Sequence, residues 1–148
     1  MRYQLETEIM IDGSPEEVWA VLVDLDSHAE WNPFMPSAQG RVAEGERLEI
    51  SIRPPGGKAS TVRPTVTEVK AGRAFEWLGQ AGVKGLFDGR HRFELEPVGS
   101  GTRLRHSEYF TGLLIRPARR WLDRKVLPGF EAMNTALAER VSATVARG

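Results

Sequence analysis

Ser14-Pro15-Glu16-Glu17-Val18-Trp19-Ala20-Val21-Leu22-Val23-Asp24, followed by Glu30-Trp31-Asn32-Pro33-Phe34, is the stretch on which the fold turns. Ser14 can cap a helix, Pro15 suits its first turn, and Glu17 completes a Ser-x-x-Glu capping box. Val18, Trp19, Val21, Leu22 and Leu25 give that helix its apolar stripe. Asp26-Ser27 offers a second cap and predicts a short helix near residues 27–31, which Pro33 and Pro36 stop. Two short helices and a tight aromatic corner therefore stand near the front of the chain.

Ahead of them, Tyr3, Leu5, Thr7, Ile9 and Ile11 alternate with Gln4, Glu6, Glu8 and Met10, which reads as a strand with one buried face. Asp12-Gly13 is the turn that follows. Behind them, Arg41 to Thr111 reads as strand, turn, strand. Leu48, Ile50 and Ile52 alternate with Glu49, Ser51 and Arg53, and Pro54-Pro55-Gly56-Gly57 is a loop. A strand with mixed faces runs to about residue 70, where Ala71-Gly72 turns. Phe75, Trp77 and Gly79 share a face, as do His91, Phe93 and Leu95, and then Leu104, His106, Glu108 and Phe110. Pro97 to Gly101 reads as a hairpin loop. The linkers are too short for crossover helices, so the strands are antiparallel.

From about Arg116 the period changes. Leu122, Val126, Phe130, Met133, Leu137, Val141 and Val145 fall three or four apart on one helix face. Pro128-Gly129 inside this run should kink or divide the helix. The sum is an α+β order: a curved antiparallel sheet of about seven strands wrapped around a long C-terminal helix, with two short helices between strands 1 and 2. A strongly twisted sheet of that size curls, and one straight helix leaves part of its concave face uncovered.

The 148 residues fit one domain, 1–148, large enough to bury roughly 68–70% of its unfolded surface. Cysteine is absent, so no disulfide framework or thiolate metal site exists. Twenty acidic and twenty basic residues balance, which argues against a nucleic-acid partner. The N-terminus lacks an apolar run of signal-peptide length, and nothing approaches the ~20 apolar residues of a membrane span. The expectation is a cytoplasmic protein.

Four motifs resemble the SRPBCC superfamily, the START-like or helix-grip fold, in its polyketide cyclase/dehydrase and lipid-transport-like branch. They are Ser14-Pro15-Glu16-Glu17-Val18-Trp19, Glu30-Trp31-Asn32-Pro33-Phe34, Phe87-Asp88-Gly89-Arg90-His91-Arg92-Phe93 and Gly129-Phe130-Glu131-Ala132-Met133-Asn134. The resemblance covers nearly the whole chain. It implies a helix-grip fold, and a function among those the superfamily spans: lipid carriers, hormone receptors, cochaperones and aromatic polyketide cyclases. None of the motifs specifies a reaction.

The expected ligand is a hydrophobic small molecule or lipid, held between the sheet and the last helix. The expected apolar lining is Trp31, Phe34, Ile50, Phe75, Trp77, Phe93, Phe110, Phe130 and Met133. Each is equally a residue that could pack as ordinary core. His91, His106 and Glu108 interrupt these faces. Burying them unpaired costs about 1–3 kcal/mol each, so they should bond one another, water or a ligand's carbonyl or hydroxyl. Under the enzymatic alternative, a cyclase or dehydratase, His106 and Glu108 would serve as acid and base, with His91 as a further candidate. Asn134 would offer a ligand hydrogen bond or brace the helix, and Asn32 would shape its turn. A third alternative is a cochaperone-like module that binds protein through its outer surface. No metal-ligand spacing, nucleophile motif or phosphate loop is present, and no cofactor is expected. Arg116, Arg120 and Arg124, four apart beside Trp121, read either as a solvated helix face or as a peripheral membrane contact. Ligand entry is expected near Trp31-Phe34, Gly79-Phe87 and the start of the long helix.

Overall fold

The Ser14 capping box forms as its residues require. The Ser14 hydroxyl accepts from the Glu17 backbone N–H at 3.2 Å, and Glu17 Oε1 accepts from the Ser14 N–H at 2.9 Å. Helix α1 (Pro15–Leu22) starts there and buries Pro15, Val18 and Leu22. A 3₁₀ turn, Leu25–Glu30, follows it. The computed structural model describes residues 2–147.

Eight strands are present among the described residues, one more than the alternation predicts: β1 (Arg2–Ile11), β2 (Ser37–Gln39), β3 (Glu49–Ile52), β4 (Ser60–Val62), β5 (Thr65–Lys70), β6 (Ala74–Gln80), β7 (Asp88–Val98) and β8 (Gly101–Thr111). They form a five-stranded antiparallel sheet, ordered β1-β8-β7-β6-β5, and a three-stranded sheet, β2-β3-β4. The mixed-face strand divides into β4 and β5 at Arg63-Pro64, where proline brings no N–H to the ladder. Backbone bonds still join the two sheets: Leu48 N–H donates to Pro64 O at 2.8 Å and Val66 N–H to Glu46 O at 2.8 Å.

The long helical run is continuous from Ile115 to Arg147. Helix α2 (Ile115–Trp121) passes through one π turn (Leu122–Val126) into α3 (Leu127–Arg147). In that turn the Leu127 N–H reaches back five residues to Leu122 O. Pro128 comes next. It has no N–H, and its ring would press on the carbonyl four residues back. The helix accommodates it by widening one turn, without dividing. Phe130, Met133, Leu137 and Val141 of α3 are buried against the large sheet. Val145, the last residue of the apolar row, is 40% exposed instead. Residues 142–147 are all exposed, so the final turns project past the packed layer.

Candidate functional site

The β7–β8 hairpin brings the three interrupting polar residues together. Its register sets His91 opposite Glu108 and Phe93 opposite His106, while β1 places Thr7 opposite His106 on the other side. Glu108 Oε1 lies 3.2 Å from His91 Nδ1, and His91 Nε2 lies 2.6 Å from His106 Nε2. His106 Nδ1 lies 2.8 Å from Asn134 Oδ1, and Asn134 Nδ2 lies 2.8 Å from Thr7 Oγ1. Asn134 thus braces α3 to both strands.

The protons of this chain follow from its last member. Thr7 has one hydroxyl hydrogen, and it goes to the His106 carbonyl at 2.9 Å, an atom that only accepts. Thr7 Oγ1 must therefore accept from the Asn134 amide N–H, which turns Asn134 Oδ1 to His106. His106 then carries its hydrogen on Nδ1 and accepts at Nε2. His91 must donate from Nε2. One proton remains between His91 Nδ1 and Glu108 Oε1. Burial, then the proximity of His91, pushes His106 well below the ordinary histidine value of 6.5, with the Asn134 bond opposing. A neutral His106 is what the tautomer assignment requires.

Around this chain the interior is solid. His106 stacks on Phe130 with ring centroids 4.2 Å apart and on Phe93 at 4.4 Å; Phe75 and Phe93 are 4.9 Å apart. Phe75, Phe93, Phe130, Met133, Ile50 and His106 are each no more than 1% exposed and line no cavity; Asn134, 1% exposed, touches only a groove of about 260 Å³ between β1 and α3. Packing explains it: α3 sits directly on the sheet, and a Cβ at Gly129 would lie 2.3 Å from the Phe34 ring.

Space opens farther along, beneath the start of the helical run. A cavity of about 400 Å³ lies there. Of the residues named from the sequence, Phe34, Trp77, His91, Glu108 and Phe110 line it. Its other apolar walls come from Phe87, Leu114, Trp121, Leu122 and Val126, with Ile52, Val62 and Pro64 from the small sheet and its exit. Those residues read in the sequence as loop, charge run or generic core; the apolar side chains Leu114 and Trp121 amid arginines were the signal available. Leu114 and Trp121 are about half exposed, at 49% and 50%, so the mouth lies between the helix start and the loop after β6. The Glu108 side chain, 17% exposed, reaches the cavity because Gly89, diagonally across on β7, leaves room. A Cβ at Gly89 would meet Glu108 Oε2 at 2.2 Å.

Trp31 is elsewhere. It lines a larger surface groove of about 560 Å³ between α1 and the end of α3, whose other walls include exposed Glu17, Asp24 and Thr144. Beneath Trp31 the corner is braced by a residue the sequence did not single out. His28 Nε2 donates to Leu22 O at 2.8 Å and its Nδ1 accepts from Asn32 Nδ2 at 3.0 Å, while Asn32 Oδ1 accepts from the Phe34 and Met35 N–H groups. Burial lowers the His28 pKa, with the Leu22 bond opposing. Asn32 shapes its turn in this way. Arg116, Arg120 and Arg124 are exposed. Arg119 lies over the Tyr3 ring, and the Tyr3 hydroxyl bonds Asp123. No described helix is long and apolar enough to cross a membrane.

An antiparallel sheet closed by a long C-terminal helix, with a hollow at the helix start, is the architecture of a START-like protein. The chain belongs to the polyketide cyclase/dehydrase and lipid transport family, whose model matches residues 2–146. No curated protein sequence matches it. Among solved structures it is similar to the Zhui aromatase/cyclase from Streptomyces sp. R1128, at 14% identity and a TM-score of 0.81, covering 98% of this chain and 96% of that one. It is also similar to protein MLL2253 from Mesorhizobium loti, at 19% identity and TM-score 0.76, covering 96% and 98%. A START superfamily protein from Mycobacterium smegmatis matches at 18% identity and TM-score 0.74, covering 95% and 98%. At these identities the likeness is one of fold.

Proposed function

We propose that this protein binds a hydrophobic small molecule or lipid in the cavity beside Glu108. The carrying observation is the hollow itself. About 400 Å³ walled by Phe34, Trp77, Phe87, Phe110 and Trp121 falls in the ~300–1,000 Å³ range of ligand pockets. Glu108, His91, Ser60 and Gln80 bring polar groups to its wall, which can orient a ligand. Each Å² of apolar ligand surface removed from water contributes about 25 cal/mol. Native mass spectrometry of protein purified from its own host tests this: a retained apolar adduct is expected. Val62→Trp, which fills the cavity from the small sheet, should prevent retention. Absence of any adduct, together with no binding of added apolar probes, would refute the reading.

A cyclase or dehydratase is the second reading, favoured by the acid–base pair Glu108–His91 at the cavity wall. Its geometry is less supportive. Both His91 nitrogens are committed, to Glu108 and to His106, and His106 is sealed in the core. Only Glu108 Oε2 is left to meet a substrate, whereas acid–base work on one atom needs two groups in reach. A polyketide-type substrate turned over by the wild type, and not by Glu108→Gln, would establish catalysis.

A further inference from the structure

We infer that the cavity selects uncharged apolar ligands bearing a hydroxyl or N–H donor, because Glu108 Oε2, the carboxyl oxygen at its wall, can only accept. This rests on the binding reading above and specifies its ligand class.

The inference follows from the proton order of the buried chain. Thr7, Asn134 and His106 force His91 to donate from Nε2, so a single proton lies between His91 Nδ1 and Glu108 Oε1. There are two ways to place it. With the proton on His91, Glu108 is a carboxylate and Oε2 accepts. With the proton on Oε1, Oε2 is a carbonyl oxygen and again accepts. An acid hydrogen on Oε2 would require His91 to be doubly protonated beside a neutral carboxyl. That would leave an uncompensated positive charge against buried His106, a costly arrangement. Among the described residues Oε2 has no hydrogen-bond partner, and it lies at the cavity wall over Gly89. A ligand that brings an ether or ketone oxygen there opposes two acceptors. A ligand that brings a carboxylate finds no lysine or arginine among the lining residues.

Equilibrium dialysis at pH 7 with three probes of one framework tests this: 2-naphthol, 2-methoxynaphthalene and 2-naphthoate. The wild type should hold 2-naphthol on the order of 10-fold more tightly than 2-methoxynaphthalene, the worth of one well-placed hydrogen bond, and 2-naphthoate least tightly. Glu108→Gln should keep the order, because its amide N–H can serve His91 Nδ1 while its oxygen faces the cavity. Glu108→Leu should bring the two neutral probes within about 2-fold. In the wild type, the Glu108 side-chain carboxyl ¹³C resonance should move with 2-naphthol and stay with 2-methoxynaphthalene, a readout that needs no variant. Equal affinities for the three probes, a preference for naphthoate, or equal carboxyl shifts would overturn the inference and leave the cavity's binding role standing. Failure of every probe to bind would remove both.

Discussion

Two regions of the same inner sheet face contrast sharply. Under α3, Phe75, Phe93, His106 and Phe130 stack within 4.2–4.9 Å of their neighbours and leave no space. Under the start of the helical run, Trp77, Phe87, Phe110 and Trp121 enclose a hollow. Both regions are rich in aromatic rings, so ring density does not decide between core and cavity. The opposite wall decides. Gly129 lets the helix backbone rest on the Phe34 ring, and Leu122 and Val126 of the widened turn line the hollow.

The contrast is most directly broken in the solid region. Phe130→Ala should cost about 3–5 kcal/mol in urea unfolding, as the loss of a buried aromatic does. Trp121→Ala, at the half-exposed mouth, should cost under about 1 kcal/mol while weakening probe binding. Comparable losses for the two would mean that the regions are packed alike. Gly129→Ala comes next. Its methyl group would press on a ring held in the core, so about 1–3 kcal/mol of overpacking is expected. A neutral result would show that Phe34 yields and is less anchored than its 3% exposure implies.

Acid should act mainly on the two buried histidines His106 and His28. His106 faces His91 and Asn134, with Glu108 beyond His91; His28 faces Asn32 and the Leu22 carbonyl, with Asp24 near. Both histidines have native pKa values below the ordinary 6.5. Below pH 6.5 the unfolded chain takes up protons that the native state refuses. Stability is then complete above 6.5 and falls as pH drops toward the depressed native values, by about 1.4 kcal/mol per histidine per pH unit. Urea midpoints between pH 7 and 5 should show this, with a shallower slope in His106→Gln. A flat profile would contradict it. The smallest effect belongs to the outer face, where Arg105 pairs with Glu6, Glu8 and Glu94. Arg105→Ala should cost under about 1 kcal/mol, and less at high salt; a larger loss would mean that the charged ladder matters as much as the interior.

Much of the fold was legible because its signals are local. The capping box, the period of two in β1 and the period of 3.6 in α3 are each written within a few residues. The polar chain was half legible. Alternation put His91, His106 and Glu108 on inner faces, but their pairing depends on the turn. Val98 pairs with Gly101, so the loop is Gly99-Ser100, with Gly99 at φ +59. A loop from Pro97 to Gly101 would set His91 opposite Ser107 and break the cluster. Trp31, Phe75, Phe93, Phe130 and Met133 carry no mark that separates a cavity wall from core, and neither does Trp121.

What the chain determined by itself is the list and order of its elements, the faces they bury and the family they belong to, since caps and periodicities act over one or two turns. Tertiary structure alone decided which aromatics meet, which oxygen of Glu108 is left for a ligand, and where the interior is hollow. Those depend on the separation of surfaces far apart in sequence, which no local signal encodes.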